Sequence, residues 1–327
     1  MGGRGVAAFP STHRHMVGCR GELVMQSAIT VSGLRKVYGD FVAVDDLDLR
    51  IESGEVFAFL GPNGAGKTTT IDILTGAQRR TSGSVSVLGQ DPQHDEREWR
   101  ARIGVVPQGT ASYADLTVRE VIDHFSAFYP DPFPTGQLID MVGLGAKTTT
   151  LTNKLSGGQR RRLDVAVGVV GRPRLVFLDE PTTGLDPEAR REAWDLVRLL
   201  THEGVTTVLT THYLDEAQEL AQRAGIIVHG RMLHVGTLDE LARMTGRRYR
   251  VSYALDPLVE VPSDLAERLG SEPHRCEYTT DEPTALLRLL LDAAKRQGIA
   301  EIPGLQVSQP SLEQIYLNMV EQTKDHR

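Results

Sequence analysis

Apolar positions along this chain switch between a spacing of two and a spacing of three to four. Ile29 to Val37 and Val42 to Ile51 read as two strands joined around Tyr38-Gly39-Asp40. On the second, Asp45, Asp46 and Asp48 alternate with Val44, Leu47 and Leu49, which predicts a solvated face over a buried one. Glu55 to Leu60, Gly83 to Gly89 and Arg102 to Gln108 read as further short strands bounded by turn residues. Residues 117–170 turn mostly helical, with Val118, Val121, Ile122 and Phe125 at helical spacing, and the Pro-rich stretch Tyr129 to Pro134 interrupts them. Leu175 to Leu178 is continuously apolar, as a parallel strand covered on both faces must be. A helix from Pro187 to Leu200, a strand from Thr206 to Thr210 and a helix from Leu214 to Arg223 follow. Ile226 to His229 and Met232 to Val235 then form a hairpin around Gly230-Arg231. Strands alternating with helices predict an α/β fold.

The pattern changes near residue 246. Tyr249 to Tyr253 and Arg275 to Tyr278 read as strands, and Pro283 to Gln297 as a helix with Leu286, Leu287, Leu290 and Leu291 on one stripe. Ser311 to Val320 reads as a last helix with Ser311 as N-cap. The expected organisation is a disordered extension over 1–24, with Met25 as an alternative start, a principal domain over 25–245 with a helical part near 115–170, and a small α/β accessory domain over 246–327.

Chemistry enters at residues 61–68, which match G-x-x-x-x-G-K-[ST] between a strand and a helix, the phosphate-binding P-loop. Its glycines let backbone N–H groups and a helix N-terminus face an anion. Lys67 is expected to reach β- and γ-phosphates and Thr68 to ligate Mg²⁺. The strand ending Leu178-Asp179-Glu180 delivers two carboxylates: Asp179 for the Mg²⁺ shell and Glu180 as base for an attacking water. Leu155-Ser156-Gly157-Gly158-Gln159 opens a long helix and makes a second anion site, with Ser156 adding a hydroxyl. One P-loop and two anion-binding helix starts suggest two copies head to tail, each closing the other's nucleotide. The basic step Arg160, Arg161, Arg162 reads equally as a solvated face or a contact surface.

Charge and cysteines narrow the setting. The formal net charge of −7 provides no global field for nucleic acid, so no nucleic-acid partner is expected. Cys19 and Cys276 have no metal-ligand spacing and suit a reducing compartment. No apolar run approaches the ~18 residues of a membrane span.

Taken in order, the P-loop, Gln108, Leu155 to Gln159, Asp179-Glu180, Gly184-Leu185-Asp186 and His212 resemble the nucleotide-binding subunit of an ATP-binding cassette (ABC) transporter over roughly residues 28–240. The resemblance implies a P-loop cassette with a mostly parallel sheet, an antiparallel β subdomain and an inserted helical subdomain. It implies that Gly61, Pro62, Asn63, Gly64, Ala65, Gly66, Lys67, Thr68 and Thr69 wrap the phosphates of ATP. By the same resemblance Tyr38 stacks on adenine, Gln108 touches Mg²⁺ and the water, Asp186 lies at a dimer seam and His212 bonds the γ-phosphate. The runs Leu155 to Asp164, Thr182 to Pro187, Thr211 to Ala217 and Gln309 to Tyr316 resemble the daunorubicin-resistance export ATPases in particular. The strand Ala224 to His229 departs from the family in lacking an acidic residue before its hairpin. The implied assembly is a homodimer on the cytoplasmic side of a membrane, driving a separate permease. An importer subunit and a soluble, non-transport cassette ATPase are the competing readings.

Overall fold

The computed structural model describes residues 27–94, 96–109, 113, 115–244, 249–269 and 274–308. The expected extension over 1–24, the boundary at 245/246, the helix over 311–320 and Cys19 lie outside them. The chain divides into two compact units, 1–236 and 237–327.

The first unit opens with strands β1 (Ser27–Tyr38) and β2 (Phe41–Glu52), an antiparallel hairpin turning at Gly39-Asp40. Asp46 and Asp48 are exposed as their alternation predicts. Asp45 departs from that reading. It is partly buried and pairs with Arg35 and with Arg231 at 2.6 Å, because the far hairpin packs on this strand. Strand β3 (Val56–Leu60) is buried at every position and leads into helix α1 (Lys67–Leu74). Strand β4 (Ser82–Val87) returns to β1, giving a three-stranded antiparallel sheet in the order β2-β1-β4. A short helix α2 (Arg97–Arg100) buries Trp99, whose indole donates to the Val87 carbonyl at 2.9 Å, and precedes strand β5 (Ile103–Val106).

Three helices follow. In α3 (Val118–Ser126), Thr117 and Glu120 form a reciprocal capping box that satisfies two otherwise unpaired N–H groups. The prolines at 130, 132 and 134 separate it from α4 (Thr135–Met141), and α5 (Gly157–Val169) comes last. Then come β6 (Leu175–Asp179), α6 (Pro187–His202), β7 (Thr206–Thr211), α7 (Leu214–Leu220), β8 (Arg223–Val228) and β9 (Arg231–Thr237). The β8–β9 turn holds His229 at φ 50° and Gly230 at φ 78°, the two positive angles of a type I′ hairpin. The main sheet has the order β5-β6-β7-β3-β8-β9, with β5, β6, β7, β3 and β8 mutually parallel. Phe57, Phe59, Phe177 and Val208 from this sheet share one core with Leu34 and Leu47 of the antiparallel sheet.

In the second unit, helix α8 (Leu238–Met244) precedes strands β10 (Tyr249–Tyr253), β11 (Glu267–Arg268) and β12 (Cys276–Thr280), helix α9 (Pro283–Arg296) and strand β13 (Gln306–Ser308). The sheet order is β11-β12-β10-β13, all antiparallel. Its own core holds Val251, Tyr253, Cys276, Tyr278, Leu286 and Leu290. The leucine stripe of α9 is narrower than its spacing predicts, since Leu291 is 52% exposed. Among the described residues no helix is long and apolar enough to cross a membrane.

Candidate functional site

Four adjacent strands of the main sheet, β5, β6, β7 and β3, run parallel and end on one side. At about 4.8 Å between strands, their carboxyl ends form a row roughly 14 Å long. Gln108 lies just past β5, Asp179 and Glu180 at the end of β6, His212 just past β7, and the glycine loop past β3. Ligands of open α/β sheets bind outside these carboxyl ends.

The loop glycines have separate reasons. A Cβ on Gly61 would lie 2.3 Å from the Ile227 carbonyl, and one on Gly66 2.6 Å from the Ala43 carbonyl. Gly64 meets nothing but stands at φ 79°, which excludes most side chains. Ala65 is buried, whereas Pro62, Asn63, Gly64 and Thr68 are exposed along the loop and first turn, and Thr69 is half-buried. The buried Lys67 ammonium donates to the carbonyls of Gly61 at 2.7 Å and Pro62 at 3.1 Å. Burial lowers its pKa, and the carboxylates of Glu180 and Asp179 act in the opposite direction.

Glu180 is the centre of the site. It stands at φ 45°, a left-handed conformation that costs on the order of 1–3 kcal/mol for a residue with a Cβ. Its N–H donates to the Thr210 carbonyl at 3.1 Å and hydroxyl at 3.0 Å, while that hydroxyl donates to Asp179. Its carboxylate accepts from Gln108 Nε2 at 2.8 Å and Thr183 Oγ1 at 3.0 Å, and faces His212 Nδ1 at 3.3 Å. The His212 ring leans on Tyr213, centroids 4.1 Å apart. Thr183 was not singled out by its spacing; a hydroxyl three residues past a carboxylate, in the turn closed by Thr183 N–H on the Glu180 carbonyl, is the signal.

The remaining candidates stand apart. Tyr38, 43% exposed, ends the hairpin whose β2 strand passes Gly66, and Lys36 Nζ covers its ring at 4.5 Å. Ser156 caps α5: its Oγ accepts from Gln159 N–H at 3.3 Å, and Gln159 Oε1 accepts from Ser156 N–H at 3.1 Å. Acting there as acceptor, the hydroxyl keeps its proton for donation. A Cβ on Gly158 would lie 2.6 Å from Ala189 Cβ on α6, whereas one on Gly157 would meet nothing. Asp186 caps α6, accepting from the N–H groups of Glu188 at 3.0 Å and Ala189 at 2.9 Å. Among the described residues, no hydrogen bond or ion pair joins Ser156–Gln159 or Asp186 to Lys67, Asp179, Glu180 or His212. The basic step is not uniform: Arg161 is buried, bonded to main-chain carbonyls, and only its neighbours reach solvent.

Thr68, Asp179 and Gln108 provide oxygen donors of the hard type that Mg²⁺ prefers. With Nε2 of Gln108 on Glu180, its Oε1 remains as an acceptor. Among the described residues no three His, Cys, Asp or Glu side chains form a closed metal cluster. The set fits a small cation that takes its other ligands from water and phosphate.

Sheet order, P-loop and carboxylate pair define a nucleotide-hydrolysing cassette. The family profile described as ABC transporter matches residues 44–183. The chain is 38% identical over 314 residues to the daunorubicin/doxorubicin resistance ATP-binding protein DrrA of Streptomyces peucetius, covering 92% of this chain and 94% of that one. It is 40% identical over 302 residues to the Nod factor export ATP-binding protein I of Ralstonia nicotianae, covering 89% and 93%. A solved ATP-binding subunit of an ABC transporter superposes with a TM-score of 0.61 at 25% identity, covering 67% of this chain and 93% of that one. The chain belongs to the ABC transporter family, as an ATP-hydrolysing subunit of the exporter type.

Proposed function

We propose that two copies of this chain sandwich two Mg-ATP and, from the cytoplasmic side, drive a separate membrane permease that exports a drug-class small molecule. The observation that carries the site reading is the convergence of Gln108, Thr183 and His212 on the Glu180 carboxylate, beside Lys67. The cargo class rests on similarity to proteins named for daunorubicin, doxorubicin and linearmycin resistance.

In this reading Gly61 to Thr69 wrap the triphosphate, Lys67 neutralises its β- and γ-oxygens, and Tyr38 stacks on adenine with the ring face that Lys36 leaves open. Thr68, Asp179 and Gln108 would hold Mg²⁺, which would supply charge neutralisation for the nucleotide's phosphates. Glu180 accepts the proton of the attacking water, and the hydrogen bonds from Gln108 and Thr183 hold its carboxylate in place. His212 bonds the γ-phosphate. Ser156, Gly157, Gly158 and Gln159 present the α5 start to the nucleotide of the other copy, with Asp186 at the seam.

Glu180→Gln keeps the shape and removes the base. Calorimetry on the full chain should find ATP still bound, with turnover reduced by about 10²–10⁴-fold. Near-normal hydrolysis would refute the assignment. Vesicles holding the chain together with its permease should then expel doxorubicin only with ATP and unsubstituted Glu180.

A further inference from the structure

Arg161 sits on the second turn of α5, five residues past Ser156, and is 5% exposed. Its guanidinium makes three hydrogen bonds, all to main-chain carbonyls. Nη1 donates to Pro107 at 2.6 Å, Nη2 to Asp179 at 2.9 Å and Nε to Pro181 at 2.9 Å. These carbonyls are not scattered. Pro107 directly precedes Gln108, Asp179 directly precedes Glu180, and Pro181 directly follows it. One planar fork therefore grips both flanks of the left-handed Glu180 and the turn that carries its 2.8 Å donor.

The chemistry asks for arginine. Three carbonyls from two separate loops need donors fixed in a plane, which a guanidinium has and an ammonium lacks. A buried cation with no direct carboxylate bond is costly, and here its donors are satisfied by the three carbonyls. Burial lowers the pKa of the guanidinium, and the negative charges of Asp164, Asp179 and Glu216 act in the opposite direction. The same guanidinium is carried by the helix whose first turn is Ser156-Gly157-Gly158.

We propose that Arg161 is a positioning residue for hydrolysis: it clamps the Gln108 and Glu180 turns to α5, so that the Ser156 helix start and the Glu180 turn of one chain are mechanically linked. This rests on the ATPase reading above. In the head-to-tail sandwich, the helix start of one copy engages its partner's nucleotide while Glu180 faces its own. The clamp then makes closure on one nucleotide set the hydrolytic geometry at the other.

The test uses the full chain with Arg161→Lys and Arg161→Met. Lys keeps the charge and the fold but loses the fork. Both variants should bind ATP within about two-fold of the parent by calorimetry, keep KM, and lose kcat by about 100-fold, the usual cost of a misplaced reacting group. Amide exchange should quicken at Gln108, Glu180, Thr182 and Thr183 and not elsewhere on the sheet. Val165→Ala, a buried change on the same helix, should lower stability without this split between kcat and KM. A folded Arg161→Lys chain with kcat within about three-fold of the parent would overturn the clamp, as would ATP affinity falling in step with kcat, or Val165→Ala copying the loss. Glu180→Gln separates the two claims. If it is inactive while Arg161→Lys is active, only the clamp fails. If Glu180→Gln turns over normally, the site reading fails and the clamp with it.

Discussion

Asp164 is a carboxylate held where its charge is unwelcome. It is 7% exposed, Oδ2 has no hydrogen-bond partner, and burial raises its pKa from 3.8 to about 6 although Arg161 and Arg160 pull it down. The folded value exceeds the unfolded one. Between about pH 4 and pH 6 the folded chain therefore keeps a proton that the unfolded chain has released. Stability from this group falls as pH rises through that window and stays low above it, by about 3 kcal/mol in all. Asp164→Asn removes the charge, so its stability advantage over the parent should be near zero at about pH 4 and grow to about 2–3 kcal/mol by about pH 7 in denaturant melts. An advantage that stays constant across that range would contradict the buried-charge account. The residue scale is also where sequence reading divides. Lys67, Asp179 and Glu180 were legible because the P-loop and the strand-end carboxylates are written in contiguous residues. Arg161 was not, since one of three consecutive arginines differs from its neighbours only by facing carbonyls that lie 18 to 54 positions away in the chain.

Helix α5 carries two glycines at its start that do different work. Gly158 lets α5 approach α6, since its Cβ would stand 2.6 Å from that of Ala189, while Gly157 borders open space. Gly158→Ala should therefore destabilise the chain by about 1–3 kcal/mol through overpacking. Gly157→Ala should leave stability unchanged or raise it by up to about 1 kcal/mol, because alanine favours the helix. If the open side of Gly157 receives the other copy's phosphates, the more stable variant should be the poorer ATPase. Thermal melts and turnover measured on both variants check this, and equal effects at the two positions would count against it. Element types in the first unit followed from periodicity, and ends were set by contacts that periodicity does not contain. The helix expected over 214–223 stops at Leu220, because Gln222 Oε1 accepts the Val56 N–H at 2.5 Å and Arg223 pairs with Phe57 as the start of β8. Strands β11 and β13 escaped notice for a simpler reason: two and three residues are too short to show alternation.

At the scale of the molecule, two units with separate cores share the chain, and every residue proposed to face phosphate lies in the first. A chain ending at Gly236 should fold and bind ATP with the parent's affinity by calorimetry; a folded truncation that no longer binds would show that the second unit completes the site. The first unit poses the larger question, because it holds two helix starts of the phosphate-binding type. The start at Gly66 shares its neighbourhood with Asp179 and Glu180, whereas, among the described residues, Ser156 to Gln159 make no bond to them and α5 reaches the Glu180 turn through the Arg161 guanidinium one turn further on. If each chain uses only the Gly66 start on its own nucleotide, a second copy placed head to tail gives the Gly157 start its phosphate. Lys67→Ala and Ser156→Arg should each abolish turnover alone. In a mixed dimer of these two variants, shared sites place both lesions at one nucleotide and leave the other intact, while within-chain sites leave none. ATPase activity should therefore reappear on mixing, in complexes reconstituted with the permease so that the dimer is held. If an intact site cannot fire without its twin, activity stays absent, and cysteines placed at Gly64 and Gly158 decide the matter: shared sites join them between chains in the presence of ATP. Dimers that neither regain activity nor cross-link would exclude the composite site.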